Sequence, residues 1–277
     1  MTGLPVAPAA VIIIDLDPNL FQVGGLLITW HGVFSVLGIL AAWRLGQVLG
    51  WRYDRIEPGK ISDAAVWMVV VGLIGARLLF VWENYQRFAG DWIRVLYLNE
   101  GGISQWGGLF GAILGAYIWC RRRKESFWKV LDAGGAGALL GLAVGRIGDV
   151  INGEHHGTLT SLPWGVEYIN PKTLGEPGKV VHPEVAYEML LCLGLLAVLL
   201  PFHRRLKARL PDGATGLIYF GTYAAGRFLL SFMRTDSLFL GLRQAQWASL
   251  AMVVFAVAAI AFMVFRRRSA PAAPVAA

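Results

Sequence analysis

The first candidates for chemistry are polar residues crowded at the end of an apolar stretch. The segment Gly145–Gly157, GRIGDVINGEHHG, places Arg146, Asp149, Asn152, Glu154, His155 and His156 directly after the apolar run from Phe127 to Val144. A charge inside a membrane helix costs about 2.5–3.5 kcal/mol on insertion scales, so it needs a partner or a task. Arg146 and Asp149 are three residues apart, lie on one helix face and can pair. One reading is mutual neutralisation, with both side chains stretched toward the interface. Arg77 and Arg227 point the other way, because they too fall in the outer halves of apolar runs. Arginine stays protonated when buried, so three such arginines on three helices need anions. Asp149 and Glu154 supply part of that charge, and a lipid phosphate would supply the rest. Guanidinium groups bind phosphate bidentately and keep their charge at low dielectric. Beside a departing phosphate they stabilise the charge that develops.

Four histidines, His31, His155, His156 and His182, fall on the same side of the apolar runs and titrate in the range that moves protons at neutral pH. A metal reading of Glu154, His155, His156, His182 and Glu184 is weaker. Adjacent histidines rarely ligate one ion together, and no metallohydrolase spacing is present. Neither a metal nor a cofactor is expected. The two cysteines, Cys120 and Cys192, sit in or at the end of apolar runs with no redox or metal spacing, so this chain does not supply a thiol nucleophile.

The elements that must position these residues are membrane spans. The chain is 56% hydrophobic and only 16% charged, too apolar for a soluble protein of this length. Runs of about 20 apolar residues cross the hydrocarbon core, and seven are present: Val23–Leu49, Ile61–Trp82, Ile103–Cys120, Phe127–Val150, Glu184–Pro201, Gly213–Met233 and Gln244–Phe265. The fold class is therefore an all-α polytopic membrane protein of about seven transmembrane helices. The N-terminal segment lacks a basic stretch before its short apolar run and does not read as a signal peptide. Connections on one side carry fifteen Lys and Arg, those on the other side six. The positive-inside rule puts the richer side in the cytoplasm, the N-terminus outside and the C-terminus inside. The net charge of +7 comes from these run ends and does not indicate nucleic acid.

Residues 1–268 read as one membrane-embedded domain, and 269–277 as a disordered cytoplasmic tail. The turn-rich segment 151–183, between spans four and five, reads as a small extracytoplasmic element over the membrane mouth. Gly107, Gly111 and Gly115 repeat every four residues, as do Gly137, Gly141 and Gly145. This small-xxx-small spacing predicts a tight hairpin of spans three and four, which would set Gln105 and Trp106 near Arg146 and Asp149.

The stretch GRIGDVINGEHHGTLTSLPWGVEY resembles the signature of the prolipoprotein diacylglyceryl transferases, Gly-Arg-x-Gly-Asn-x-x-Asn-x-Glu followed by a glycine and Pro-Trp-Gly. LITWHGV, GARLLFV, GGISQWGGLFG, HPEVAYEML and YAAGRFLLSFMR are similar to five further motifs of that family, in the same order along most of the chain. The resemblance implies seven spans with the N-terminus outside. It also implies transfer of the diacylglyceryl group of phosphatidylglycerol to the lipobox cysteine thiol in a prolipoprotein signal peptide, giving a thioether and glycerol 1-phosphate without a cofactor. The implied location is the outer leaflet of the bacterial cytoplasmic membrane. By matching position, Arg146, Asn152, Glu154, Gly157, Tyr223 and Arg227 fall on functional positions.

Four positions depart from the motifs. Asp149 stands for an asparagine, His31 for a tyrosine of the first-helix motif, Trp106 for a histidine that some members carry, and Ser231 for a glutamate. The expected reaction is direct displacement at the glycerol carbon bearing the phosphate. Arg146 and Arg227 hold the phosphate, Glu154 orients an arginine, and Asp149, His31 or His155 accepts the thiol proton. Arg77, Gln105, Trp106, Asn152, Gly157, Tyr223 and His155 line the substrate site. The alternatives are a lipid- or lipoprotein-binding relative without catalysis, and a lipid transporter.

Overall fold

The computed structural model describes residues 11–97 and 102–269. The expected tail lies outside the described residues from position 270 onward, and Ser269 still belongs to a helix. Among the described residues eight α-helices dominate: α1 Trp30–Leu49, α2 Pro58–Glu83, α3 Gln105–Arg123, α4 Phe127–Asn152, α5 Glu184–Leu199, α6 His203–Arg209, α7 Ala214–Leu230 and α8 Gln244–Ser269. Five helical segments, Trp30–Asp54, Pro58–Glu83, Phe127–Asn152, Glu184–Arg209 and Gln244–Ser269, are long and apolar enough to cross a membrane. Most of the residues in these apolar stretches are not buried within the protein. On α8, Val254, Phe255, Val257, Phe262 and Phe265 are all exposed, a stripe that water would not tolerate and lipid does.

Among the same residues, seven short strands accompany the helices: β1 Ile12–Ile14, β2 Asn19–Val23, β3 Leu26–Thr29, β4 Val166–Tyr168, β5 Val180–Val181, β6 Leu238–Phe239 and β7 Leu242–Arg243. They change one expected boundary. The first helix begins at Trp30 and not at Val23, because Gly24, at φ +58°, turns the chain between β2 and β3 and pairs Val23 with Leu26. The amide of Trp30 then bonds the Pro18 carbonyl at 3.0 Å. Pro201, which has no amide hydrogen, marks the short 3₁₀ turn Leu200–Phe202 that separates α5 from α6.

The chain divides into two compact units, Met1–Ala42 with Gly135–Ala277, and Trp43–Gly134. In the second unit α3 lies tightly along α2. A Cβ on Gly107 would sit 2.3 Å from the Gly75 carbonyl oxygen, one on Gly111 2.5 Å from that of Val71, and one on Gly115 2.5 Å from that of Trp67. In the first unit, a Cβ on Gly141 would meet the Gly38 oxygen of α1 at 2.7 Å. These approaches change the partners expected for the glycines. Small residues do bring helices together here, but the glycines of α3 face α2, and Gly141 of α4 faces α1.

The first unit also carries a three-stranded sheet in the order β1-β4-β5, with β1 parallel and β5 antiparallel to β4. Its core is Val166, Tyr168 and Val181, with Ile14 packed against them. Burial pushes the Tyr168 phenol up to about 12. The segment after α4 is therefore an ordered layer, and the N-terminal strand belongs to it.

Candidate active site

Helix α4 ends on a device that exposes its last polar residues. Gly153, at φ +76°, bonds its amide to the Asp149 carbonyl at 3.0 Å, and His155 follows at φ +55°. Gly153 also has no room for a side chain, since a Cβ would lie 2.4 Å from Thr173 Oγ1. Thr173 Oγ1 and the Leu174 amide donate to the Asn152 carbonyl at 3.1 and 3.0 Å, so the overlying segment closes the end of the helix.

Arg146 lies six residues before that end, about 9 Å down the helix at 1.5 Å per residue. It donates from Nη1 to Asp149 Oδ2 at 2.5 Å and lies 2.9 Å through Nη2 from Glu188 Oε2. The i, i+3 pairing read from sequence is present, but Glu188 is a second partner. Glu184 and Glu188 open α5 four residues apart on one face, and both are fully buried. Opposite them, in the last turn of α7, Arg227 donates from Nη1 to Glu184 Oε1, and its Nε lies 3.4 Å from Glu188 Oε1. Tyr223, one turn earlier, donates to Glu188 Oε1. Arg234 continues the chain, 3.3 Å from Glu184 Oε2 and 2.5 Å from Asp236 Oδ2. Hydrogen bonds from Arg234 hold the Asp236 carboxyl below its ordinary range.

The result is an alternating series, Asp149–Arg146–Glu188–Arg227–Glu184–Arg234–Asp236, drawn from three helices and one loop. Three arginines face four carboxylates, so the anions that the arginines require are present within the protein. The Arg146 and Arg227 side chains keep only 15% and 12% of their surface exposed. At such depth an unpaired guanidinium is not tolerated, and pairing costs less than isolation.

At the other end of the series His31, in the first turn of α1, bonds through Nδ1 to Asp149 Oδ1 at 2.5 Å. Gly148 permits this approach, because a Cβ there would lie 2.7 Å from the His31 Cα. Glu154 departs from its expected role. Its Oε1 accepts from Asn152 Nδ2 instead of orienting an arginine. His155 lies 3.5 Å through Nδ1 from Arg234 Nη2, and burial followed by the Arg234 and Arg146 charges holds its imidazole below the ordinary range.

Gly157 acts through its backbone. Its amide donates to the His182 carbonyl at 2.9 Å, and a Cβ would meet His182 Cβ at 2.8 Å and the Met233 oxygen at 2.9 Å. Ser231, where the motif has glutamate, is buried and donates to the Arg227 carbonyl at 2.7 Å. Three of the five residues considered as metal ligands are engaged elsewhere: Glu184 with two arginines, His155 with Arg234, and His182 beside Tyr187 at 3.3 Å. Donor atoms of His31, Asp149 and Glu154 do lie within 4.8 Å of one another, yet Arg146 occupies the second oxygen of Asp149.

Three expected residues belong to the other unit. Arg77 donates to four backbone carbonyls there. Its Nε donates to the Val95 carbonyl at 2.8 Å, Nη1 to Gly102 at 2.8 Å, and Nη2 to Arg94 and Tyr97 at 2.8 and 3.1 Å. It clamps the connection between α2 and α3, with its guanidinium over the Phe80 and Phe88 rings. Gln105 opens α3, and Trp106 stacks on Phe110. Sequence reasoning missed Glu184, Glu188 and Arg234 as partners. The signal was available in HPEVAYEML, where two glutamates four apart on an apolar helix need cations as much as the arginines need anions.

These helices and this charge series define a helical membrane protein with a polar site sunk below the end of its spans. A family profile described as prolipoprotein diacylglyceryl transferase matches residues 18–262. The chain belongs to that family. It is 37% identical to a protein of Gloeobacter violaceus named phosphatidylglycerol–prolipoprotein diacylglyceryl transferase, over 91% of this chain and 94% of the relative. Proteins with the same name from Acaryochloris marina and Clostridioides difficile are 36% and 34% identical, over 92% and 90% of this chain and 93% and 96% of theirs.

Proposed function

We propose that this chain transfers the diacylglyceryl group of phosphatidylglycerol to the lipobox cysteine of a prolipoprotein signal peptide, forming a thioether and releasing glycerol 1-phosphate. The observation that carries this reading is the convergence of Arg146 and Arg227 on Glu188 in a chain of this family. Two guanidinia from different helices, held by carboxylates, form a preorganised cradle for a phosphate. The lipid phosphate exchanges for part of their carboxylate bonds, and the same donors stabilise it as it leaves. No cofactor takes part. Asn152, Tyr223 and His155 line the headgroup side. Gly157 and Arg77 serve by shaping backbone.

The site faces the outer leaflet of the bacterial cytoplasmic membrane, with residues 1–268 as one transferase domain and 151–183 as its outer layer. Helices α3 and α7, of 19 and 17 residues, complete seven spans. Their lengths of about 29 and 26 Å at 1.5 Å per residue approach the hydrocarbon thickness of about 30 Å.

The test is purified protein in phosphatidylglycerol nanodiscs with a lipobox peptide. The expected products are a peptide heavier by one diacylglyceryl group and glycerol 1-phosphate in equal amount. Binding of lipid and peptide with neither product would overturn the reading in favour of a carrier or chaperone.

A further inference from the structure

We infer that His31 is the general base for the thiol, acting through Nε2, and that Asp149 is its positioning residue. The inference rests on the transferase reading and chooses among the three proton acceptors that the sequence left open. A carboxylate only accepts hydrogen bonds, so the 2.5 Å bond with Asp149 fixes the proton of neutral His31 on Nδ1. Nε2 is then the basic nitrogen. The His31 side chain keeps 45% of its surface exposed while that of Asp149 keeps 5%, so the ring extends from a buried anchor to the protein surface.

The same carboxylate holds Arg146 through its other oxygen. Base and phosphate-holding arginine are thus one carboxylate apart, an arrangement suited to a displacement whose nucleophile and leaving group flank one carbon. The groups facing His31 are Asp149 and Arg146 from α4 and Glu154 from the segment after it. The rivals are worse placed. Asp149 has both oxygens engaged, and His155 faces the Arg234 guanidinium.

In the step, the S–H proton passes to Nε2 and the sulfur pair forms the S–C bond. The bond from the glycerol carbon to the phosphate oxygen breaks, and that oxygen keeps the electron pair beside Arg146 and Arg227. Glycerol 1-phosphate leaves as a dianion, and His31 returns its proton to water.

The experiment compares wild type, His31→Gln and His31→Tyr on a lipobox peptide containing cysteine and on one containing selenocysteine, whose selenol is ionised at neutral pH. A thiol of pKa near 8.5 is a few per cent thiolate at pH 7. The His31 variants should therefore lose roughly 30-fold in kcat on the cysteine peptide at pH 7, with KM for lipid unchanged. The loss should shrink about tenfold per pH unit and vanish above about pH 8.5. On the selenocysteine peptide they should match wild type. A loss equal for both peptides, or independent of pH, would overturn the assignment and leave His31 structural. If neither variant folds, wild type alone decides: a kcat for cysteine that stays level between pH 7 and about 8.5 supports it, because the base makes the thiol's own ionisation unnecessary, and a kcat that rises about tenfold per pH unit up to about pH 8.5 overturns it. Wild type making no thioether from either peptide would sink the transferase reading itself.

Discussion

At the scale of single residues, charge and geometry can be separated at Arg146. Arg146→Gln should lower turnover by at least 10²–10³, roughly what one preorganised donor supplies. It should also destabilise the protein by about 3–5 kcal/mol, because Asp149 and the fully buried Glu188 lose a shared cation. Arg146→Lys keeps the charge but cannot span both carboxylates, so it should fold and remain strongly impaired. The double variant Arg146→Gln, Glu188→Gln removes one charge of each sign and leaves the bond between Asp149 and His31 in place. Thermal unfolding and thioether formation on it decide between roles: a purely structural pair predicts recovered activity, a phosphate-binding arginine predicts a folded, inactive protein. His155 gives a test by pH. Its folded pKa is lowered, so the unfolded chain binds more protons and stability falls as pH drops below about 6.5 toward the folded value. Half of the side chain is exposed, so the effect is screened and small. His155→Gln should flatten the melting temperature in that interval and leave it unchanged above pH 7. The pairing of Arg146 with Asp149 was legible because three residues along a helix define one face. Glu188 was not, since nothing local says which helix meets α4 at that height.

At the scale of elements, the glycines show what sequence can and cannot specify. A small residue every fourth position says that another backbone comes close, and it does. Which backbone depends on how the helices assemble, and here α3 chose α2 while α4 met α1. Gly111→Leu should accordingly destabilise the protein at the α2–α3 seam, where even a Cβ lies 2.5 Å from a carbonyl oxygen. Gly148→Ala is the more informative change. It adds one methyl where α1 crosses α4 at His31, 2.7 Å from the His31 Cα. The helices must part by several tenths of an ångström, and the hydrogen bond from His31 to Asp149 is the first to break. Turnover should fall well before stability does, by about tenfold or more at pH 7 with a melting point a few degrees lower. Equal melting and equal turnover to wild type would show that the α1–α4 crossing is looser than the packing implies. The start of α1 was misplaced in sequence for a related reason. Leu26 to Thr29 is apolar enough to extend a span, and only the Gly24 turn makes it a strand.

At the scale of the whole molecule, the site imposes a topology. His31 stands at the start of α1, Arg146 near the end of α4, Glu184 at the start of α5 and Arg227 in the last turn of α7, and they share one network. If each span crosses once, these four ends fall on the same side only when the N-terminus is on that side too. The proposed outer placement rests on the charge bias of the sequence, fifteen basic residues in one set of connections against six in the other, since basic loops stay in the cytoplasm. Accessibility of single cysteines tests this directly, because the native Cys120 and Cys192 are buried. Glu176→Cys sits in the layer over the site and Ser269→Cys at the end of α8, and both positions are exposed. On spheroplasts, a membrane-impermeant maleimide should label Glu176→Cys and spare Ser269→Cys until the membrane is opened. Residue 176 is better suited to this than Gly175, which lies under the Tyr168 ring and admits no side chain. Labelling of Ser269→Cys alone on intact spheroplasts would place the arginine series at the cytoplasmic face and end the outer-leaflet assignment. Labelling of both would mean that the number of crossings between residues 176 and 269 is even, and α7, which is not among the five long apolar segments, would be the span to discard.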